Sequence, residues 1–215
     1  MLQSFLTEVP LCFPQRLLTT GNKRTIDFIQ FLSTEYSERG LTEKTDRCAA
    51  ISGLENRIAQ AEQSETRFGI FQSFLHRCLL WQRSGERHMD RIGYETQSVP
   101  SWSWMAYSGS IQFMDITFGK VEWVRSLTVN RHYKYRLFNK KWKPALVTNI
   151  SSFRNCSFKQ SEAGYAILDS DRAERGEIQY DVEMHKRFDT ERCVIIGQDC
   201  RKFNARKTKY YILVL

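Results

Sequence analysis

The sequence predicts an α+β chain, an N-terminal three-helix bundle packed on a mainly antiparallel β-sheet region that is sandwich- or barrel-like. Three observations carry this. Up to Trp81, apolar residues recur at three- and four-residue spacing, the signature of amphipathic helices. Beyond Pro100 the period falls to two, as half-buried antiparallel strands require. With 41% hydrophobic residues, 13% aromatic residues and only 4 prolines in 215 residues, the composition is that of a folding chain.

Residues 1–21 hold Pro10, Pro14 and Gly21 without a clear period and read as an extended lead-in. The region 22–82 reads as helical. Its first helix carries Ile26, Ile29, Leu32 and Tyr36 on one face, and Arg39-Gly40 supplies a stop. Thr42 is the expected N-cap of the second, with Glu43 and Asp46 placed where a helix N-terminus favours negative charge. The second stripe is Cys48, Ile51, Leu54 and Ile58. Gly53 interrupts it, at a cost of about 1 kcal/mol relative to Ala, which suggests close helix packing there. The third helix groups Phe71, Phe74, Leu75, Cys78 and Leu79.

Residues 83–99 are polar and carry two glycines, so a long loop is expected. The region 100–215 reads as β-rich. Val121, Trp123, Leu127 and Val129 share a strand face that Arg125 interrupts. Tyr133, Tyr135 and Leu137 alternate with Lys134 and Arg136, and Ile178, Tyr180, Val182 and Met184 alternate with acidic and amide neighbours. Shorter runs lie at 110–118, 144–150, 164–169, 192–197 and 209–215. The whole is expected to form one integrated unit.

Charge is unevenly distributed. Between Glu122 and Glu162 there is no acidic residue, while Arg125, Arg131, Lys134, Arg136, Lys140, Lys141, Lys143, Arg154 and Lys159 all fall there. The net charge of +8 resides in that stretch, and the rest of the chain is balanced to within one charge. Within it, residues 131–143 interleave cations with Tyr133, Tyr135, Phe138 and Trp142. Cations for phosphate and aromatic faces for bases make a nucleic-acid surface, with Lys134, Arg136, Lys140, Lys141 and Lys143 as binding residues. Strand alternation, with aromatics inward and Lys/Arg outward, accounts for the same residues, and an acidic protein partner fits them equally.

No catalytic centre is legible. Glycines are dispersed, so neither phosphate-binding loop occurs, and there is no GxSxG elbow. The four histidines and six cysteines lack metal-ligand spacing, so neither a metal nor another cofactor is expected. The chain is expected not to be an enzyme. Scattered cysteines without a CxxC pair, no basic apolar leader and no apolar run of membrane-spanning length point to the cytoplasm and to no membrane partner.

Three phrases occur together. The first is Tyr36-Ser37-Glu38-Arg39-Gly40-Leu41-Thr42, followed by Asp46-Arg47 and Ala50-Ile51-Ser52-Gly53-Leu54. The second is Leu79-Leu80-Trp81, and the third Pro100-Ser101-Trp102-Ser103-Trp104, followed by Gly109 and Ile111-Gln112-Phe113. Their order and spacing resemble the region downstream of the HET domain in fungal heterokaryon-incompatibility proteins, over residues 36–113. Met105-Ala106-Tyr107-Ser108 stands where that pattern has a small-residue step and an Asp-Gly pair. The resemblance implies a role in self/non-self recognition and programmed cell death. No HET-domain motif occurs in residues 1–35, so it also implies a fragment, a truncated gene product or a degenerate relative. The expected function is a non-catalytic accessory or interaction region, its partner another protein or an upstream HET domain. Tyr36, Arg39, Thr42, Asp46, Gly53, Trp81, Pro100, Trp102 and Trp104 are the motif residues expected to be structural, with Asp46 and Arg39 able to pair.

Overall fold

Helix α1 spans Asn22–Glu38 and buries Ile26, Ile29, Ser33 and Ser37, a stripe at three- and four-residue steps. Ser33 donates its hydroxyl to the Ile29 carbonyl at 2.9 Å and Ser37 to that of Thr34 at 2.7 Å, so both hydroxyls are satisfied within the helix. The structure, a computed structural model, describes residues 21–85, 88–95, 97–130, 145–152, 156–161, 164–181, 192–200 and 209–214. The lead-in 1–20, the alternating run 131–137 and the end of the run at 178–184 lie outside the described residues.

The chain is α+β with antiparallel sheets, and its described residues fall into two compact units. In the first unit, α1 is followed by helix α2 at Arg47–Ala61. Thr42 does not cap it. A 3-10 turn, Lys44–Asp46, leads into the helix, the residue before that turn is Glu43, and Thr42 is exposed. The buried face of α2 is Cys48, Ile51, Glu55 and Ile58, with Arg47 at its start. Leu54 is only half-buried, because three- and four-residue steps from Cys48 and Ile51 arrive at Glu55.

The third helical region is shorter than the periodicity suggests. Strands β1 (Thr66–Arg67) and β2 (Ile70–Phe71) pair antiparallel, with Arg67 opposite Ile70. The two-residue turn between them has Phe68 at φ 53 and Gly69 at φ 77. Positive φ at both central residues matches the right-handed twist of a tight hairpin. A 3-10 turn at Gln72–Phe74 follows, then helix α3 at Leu75–Leu79. Phe71, Phe74, Leu75, Cys78 and Leu79 are all buried, so one apolar set is shared by a strand, a turn and a helix.

Strand β3 (Trp81–Arg83) starts one residue after the close of α3. The connection beyond it is not all loop. It holds β4 (Asp90–Arg91), buries Met89, Ile92 and Val99, and pairs with β5 (Tyr107–Ser108). Strand β6 (Ile111–Phe113) pairs with β3, Trp81 opposite Phe113, and α1 packs against it.

The second unit contains β7 (Val121–Trp123); a turn at Arg125–Ser126 follows it in the chain, then β8 (Thr128–Asn130), of which Val129 and Asn130 belong to the first unit. The run expected as one strand is therefore strand, turn and strand, and Arg125 sits in the turn. Strands β9 (Ala145–Val147), β10 (Ser151–Ser152), β11 (Ser157–Gln160), β12 (Tyr165–Leu168) and β13 (Glu174–Ile178) follow. Strands β11, β12 and β13 form an antiparallel meander. Strand β14 (Arg192–Asp199) is central to a second sheet, pairing with β7, β10 and β15 (Tyr210–Val214). Its Cys193, Val194 and Ile196 are buried, the near-continuous apolar run of a strand covered on both faces.

Candidate functional site

The motif phrases meet around Trp104. Ser103 precedes a 3-10 turn at Trp104–Ala106 and caps it, its hydroxyl accepting from the Met105 N–H at 3.1 Å and donating to the Phe68 carbonyl at 2.6 Å. This fixes the PSWSW phrase against the β1–β2 hairpin. Trp104 is thereby held fully buried, at 0% exposure. Gly69 lies so close that a Cβ there would overlap the indole nitrogen and sit 2.7 Å from Cε2.

Arg47 reaches the same ring from the start of α2. Its guanidinium lies over Trp104, 5.1 Å from the centroid, and Nη2 donates to the Gly109 carbonyl at 3.3 Å. Tyr36, at the last turn of α1, meets the edge of Trp104 with centroids 6.2 Å apart and donates its hydroxyl to the Arg47 carbonyl at 2.9 Å. Ser37 joins the same two segments, because its hydroxyl accepts from the Ile111 N–H at 2.9 Å. Tyr94 donates to the Met105 carbonyl at 2.8 Å and accepts from the Cys48 thiol at 3.5 Å. Trp81 donates its indole N–H to the Trp102 carbonyl at 2.9 Å, and its ring tilts against Tyr107.

The electrostatics follow from burial. Arg47 is 5% exposed, and desolvation lowers its pKa while the neighbouring Tyr94, Tyr36 and Cys48 pull it back up. Burial raises the Tyr36 phenol, the Tyr94 phenol and the Cys48 thiol above their ordinary ranges. Glu55, 6% exposed, is pushed up to about 7 by desolvation, against the opposing pull of a Gly69 N–H that bonds to its carboxyl. Two donors, Arg47 Nε and Trp104 Nε1, are buried with no hydrogen-bond partner. The arrangement holds one cation on an aromatic face, and burial shifts Tyr36, Tyr94, Cys48 and Glu55 toward their neutral forms. Its chemistry is cohesion between four segments of chain.

Of the motif residues, Tyr36, Trp81, Trp102 and Trp104 are joined by these contacts. Pro100 is half-buried and accepts the Ser103 N–H at 3.0 Å. Arg39, Thr42 and Asp46 are exposed and outside the cluster, and Arg39 and Asp46 form no ion pair among the described residues. Gly53 is not a packing contact, since a Cβ there would meet nothing within 4 Å. Lys134, Arg136, Lys140, Lys141 and Lys143 lie outside the described residues. Among the described residues no group of three or more His, Cys, Asp or Glu is placed to hold a metal ion, and no helix is long and apolar enough to cross a membrane.

Sequence reasoning missed the roles of Arg47, Glu55 and Tyr94. A signal existed for two of them. Glu55 falls seven residues after Cys48 on an otherwise apolar stripe, and Arg47 adjoins it, both polar groups at core positions.

Compared with known proteins, the chain matches no family model, no curated protein and no solved structure.

Proposed function

We propose that the chain is a non-catalytic accessory or interaction region of a heterokaryon-incompatibility-type protein, working in the cytoplasm beside a HET domain or another protein partner. The observation that carries this reading is the convergence on Trp104. Three phrases spread between Tyr36 and Gly109, namely Tyr36-Ser37, Arg47 and Trp102–Gly109, supply Tyr36, Arg47, Ser103 and Gly109 to one buried cluster. A motif whose residues cohere as one tertiary knot is a scaffold signature, and a scaffold supports a partner-facing role. The finer fold belongs to the same proposal: a three-helix layer against a sandwich or barrel, supported by α1 and α2 and by the antiparallel sheets.

The test is expression in a filamentous fungus, alone and fused behind a HET domain. Expected outcomes are viable cells with the chain alone, and a changed rate of cell death when the chain is fused. Death caused by the chain alone, or a fusion indistinguishable from the HET domain by itself, would overturn the reading.

A second reading, nucleic-acid binding by residues 131–143, rests on the charge distribution, with all the basic excess in one acid-free stretch. It expects affinity that falls steeply with salt and weakens in Lys140→Ala and Lys141→Ala, because each lost phosphate contact releases one fewer counterion. Binding that ignores salt sinks it.

A further inference from the structure

Beside the Trp104 knot the first unit carries a cleft of about 410 Å³ whose lining differs in kind from that of the knot. Its floor is apolar, with Ala59 and Ile70 both buried. The lining also carries three planar amides, Asn56 and Gln60 one turn apart on α2 and Gln72 from the turn after β2, all exposed. None of these amides has a hydrogen-bond partner among the described residues. Thr66 lines the same cleft, and its Oγ1 is buried without a partner. Trp102, the half-buried counterpart of Trp104 in the PSWSW phrase, lines it too.

We propose that this cleft binds a neutral, hydroxyl-rich ring, a sugar unit, with Trp102 as its stacking face and the three amides as its hydrogen-bonding groups. Each amide both donates and accepts, as each sugar hydroxyl does, so the two chemistries match without charge. The polarised C–H face of a pyranose packs on the negative face of an indole. Glu65 and Arg67, both in the lining, carry opposite charges, so the site holds no net field for a phosphate or a carboxylate. A volume of about 410 Å³ lies at the small-ligand end of binding-site sizes, which suits one or two rings better than an extended peptide. This site goes beyond the accessory reading and stands whether or not a HET domain lies beside the chain.

The experiment uses the isotopically labelled full chain, titrated with glucose, mannose, N-acetylglucosamine and their di- to tetrasaccharides. The readout is the indole N–H resonance of Trp102, assigned by its loss in Trp102→Phe. Saturable movement of that resonance with at least one sugar is expected, and calorimetric titration with the same sugar is expected to show affinity about tenfold weaker in Trp102→Ala, where a stacked ring worth roughly 1–1.5 kcal/mol is lost. Gln60→Ala, on an exposed helix face, is expected to fold normally and to weaken binding severalfold, so the proposal remains testable if Trp102→Ala unfolds. Resonances that stay fixed with every sugar overturn it. So does saturable movement that is unchanged in Gln60→Ala, Asn56→Ala and Gln72→Ala, or a response to short peptides in place of sugars.

Discussion

The Arg47 guanidinium lies over the Trp104 ring, 5.1 Å from its centroid, with Nε buried and unpartnered. The contact ties the start of α2 to the PSWSW phrase with no carboxylate in salt-bridge reach of the guanidinium among the described residues. A guanidinium can do this because it is planar and weakly hydrated, whereas an ammonium is compact and strongly hydrated.

Substitutions at Arg47 therefore have an unusual order. Arg47→Lys keeps the charge but loses the stacking plane, leaving a strongly hydrated ion buried, and is expected to cost about 3 kcal/mol. Arg47→Met keeps length and apolar contact, removes the orphaned Nε, and leaves only the carbonyl of exposed Gly109 to be taken up by water. The Met variant is expected to be the more stable of the two in urea denaturation at neutral pH. A Lys variant at least as stable as the Met variant would show that charge, not planar stacking, holds the contact.

Gly69 and Gly53 separate two meanings of glycine. Gly69 combines φ 77 with direct approach to the Trp104 indole, so Gly69→Ala adds backbone strain to a steric clash and is expected to destabilise by about 3 kcal/mol or more. Gly53 faces open space inside α2, so Gly53→Ala is expected to stabilise by up to about 1 kcal/mol. Thermal melts of both variants check the pair. Shifts of the same sign would contradict the placement of one glycine or the other.

Ser37 offers a cleaner probe of the link between α1 and β6. Ser37→Ala removes the acceptor for the buried Ile111 N–H without adding bulk. An unsatisfied buried donor costs about 1–3 kcal/mol. The variant is expected to lose stability by that amount and to speed exchange of the Ile111 amide, while Ser33→Ala, whose hydroxyl bonds only within the helix, has a smaller effect. Unchanged exchange at Ile111 would refute the bond.

How much was legible in the sequence depends on the range of the interaction. The two long helices announced themselves through stripes a single turn can read, Ile26-Ile29 and Cys48-Ile51-Ile58. The third was misjudged because Phe71 through Leu79 have helical spacing although their burial is shared with a strand. The hairpin that enforces this turns on a phenylalanine at positive φ, which the side chain of Phe68 gives no reason to expect. The PSWSW phrase was visible as a motif, but its division of labour was not. Trp104 is fully buried while Trp102 is half-buried, because the Ser103 cap aims successive residues in different directions. Arg47 and Trp104 are 57 positions apart, and no local pattern pairs them.

Glu55 makes the fold pH-sensitive with a defined sign. In the unfolded chain its carboxyl titrates near 4.5, and in the folded chain burial moves it to about 7. Between those values the folded state holds the proton more often than the unfolded state, so stability falls as pH rises through that window and then levels off above it. The whole difference corresponds to roughly 3 kcal/mol. Below 4.5 both states are protonated and Glu55 contributes no slope. Glu55→Gln retains an acceptor for the Gly69 N–H but cannot ionise, so it removes this contribution alone. Relative to wild type, the Gln variant is expected to gain about 3 kcal/mol between pH 4.5 and pH 8 in denaturant melts, whatever its stability at the acid end. A difference between the two proteins that stays constant across that range would mean that Glu55 is charged in the folded chain, and that the water it needs reaches it beneath α2.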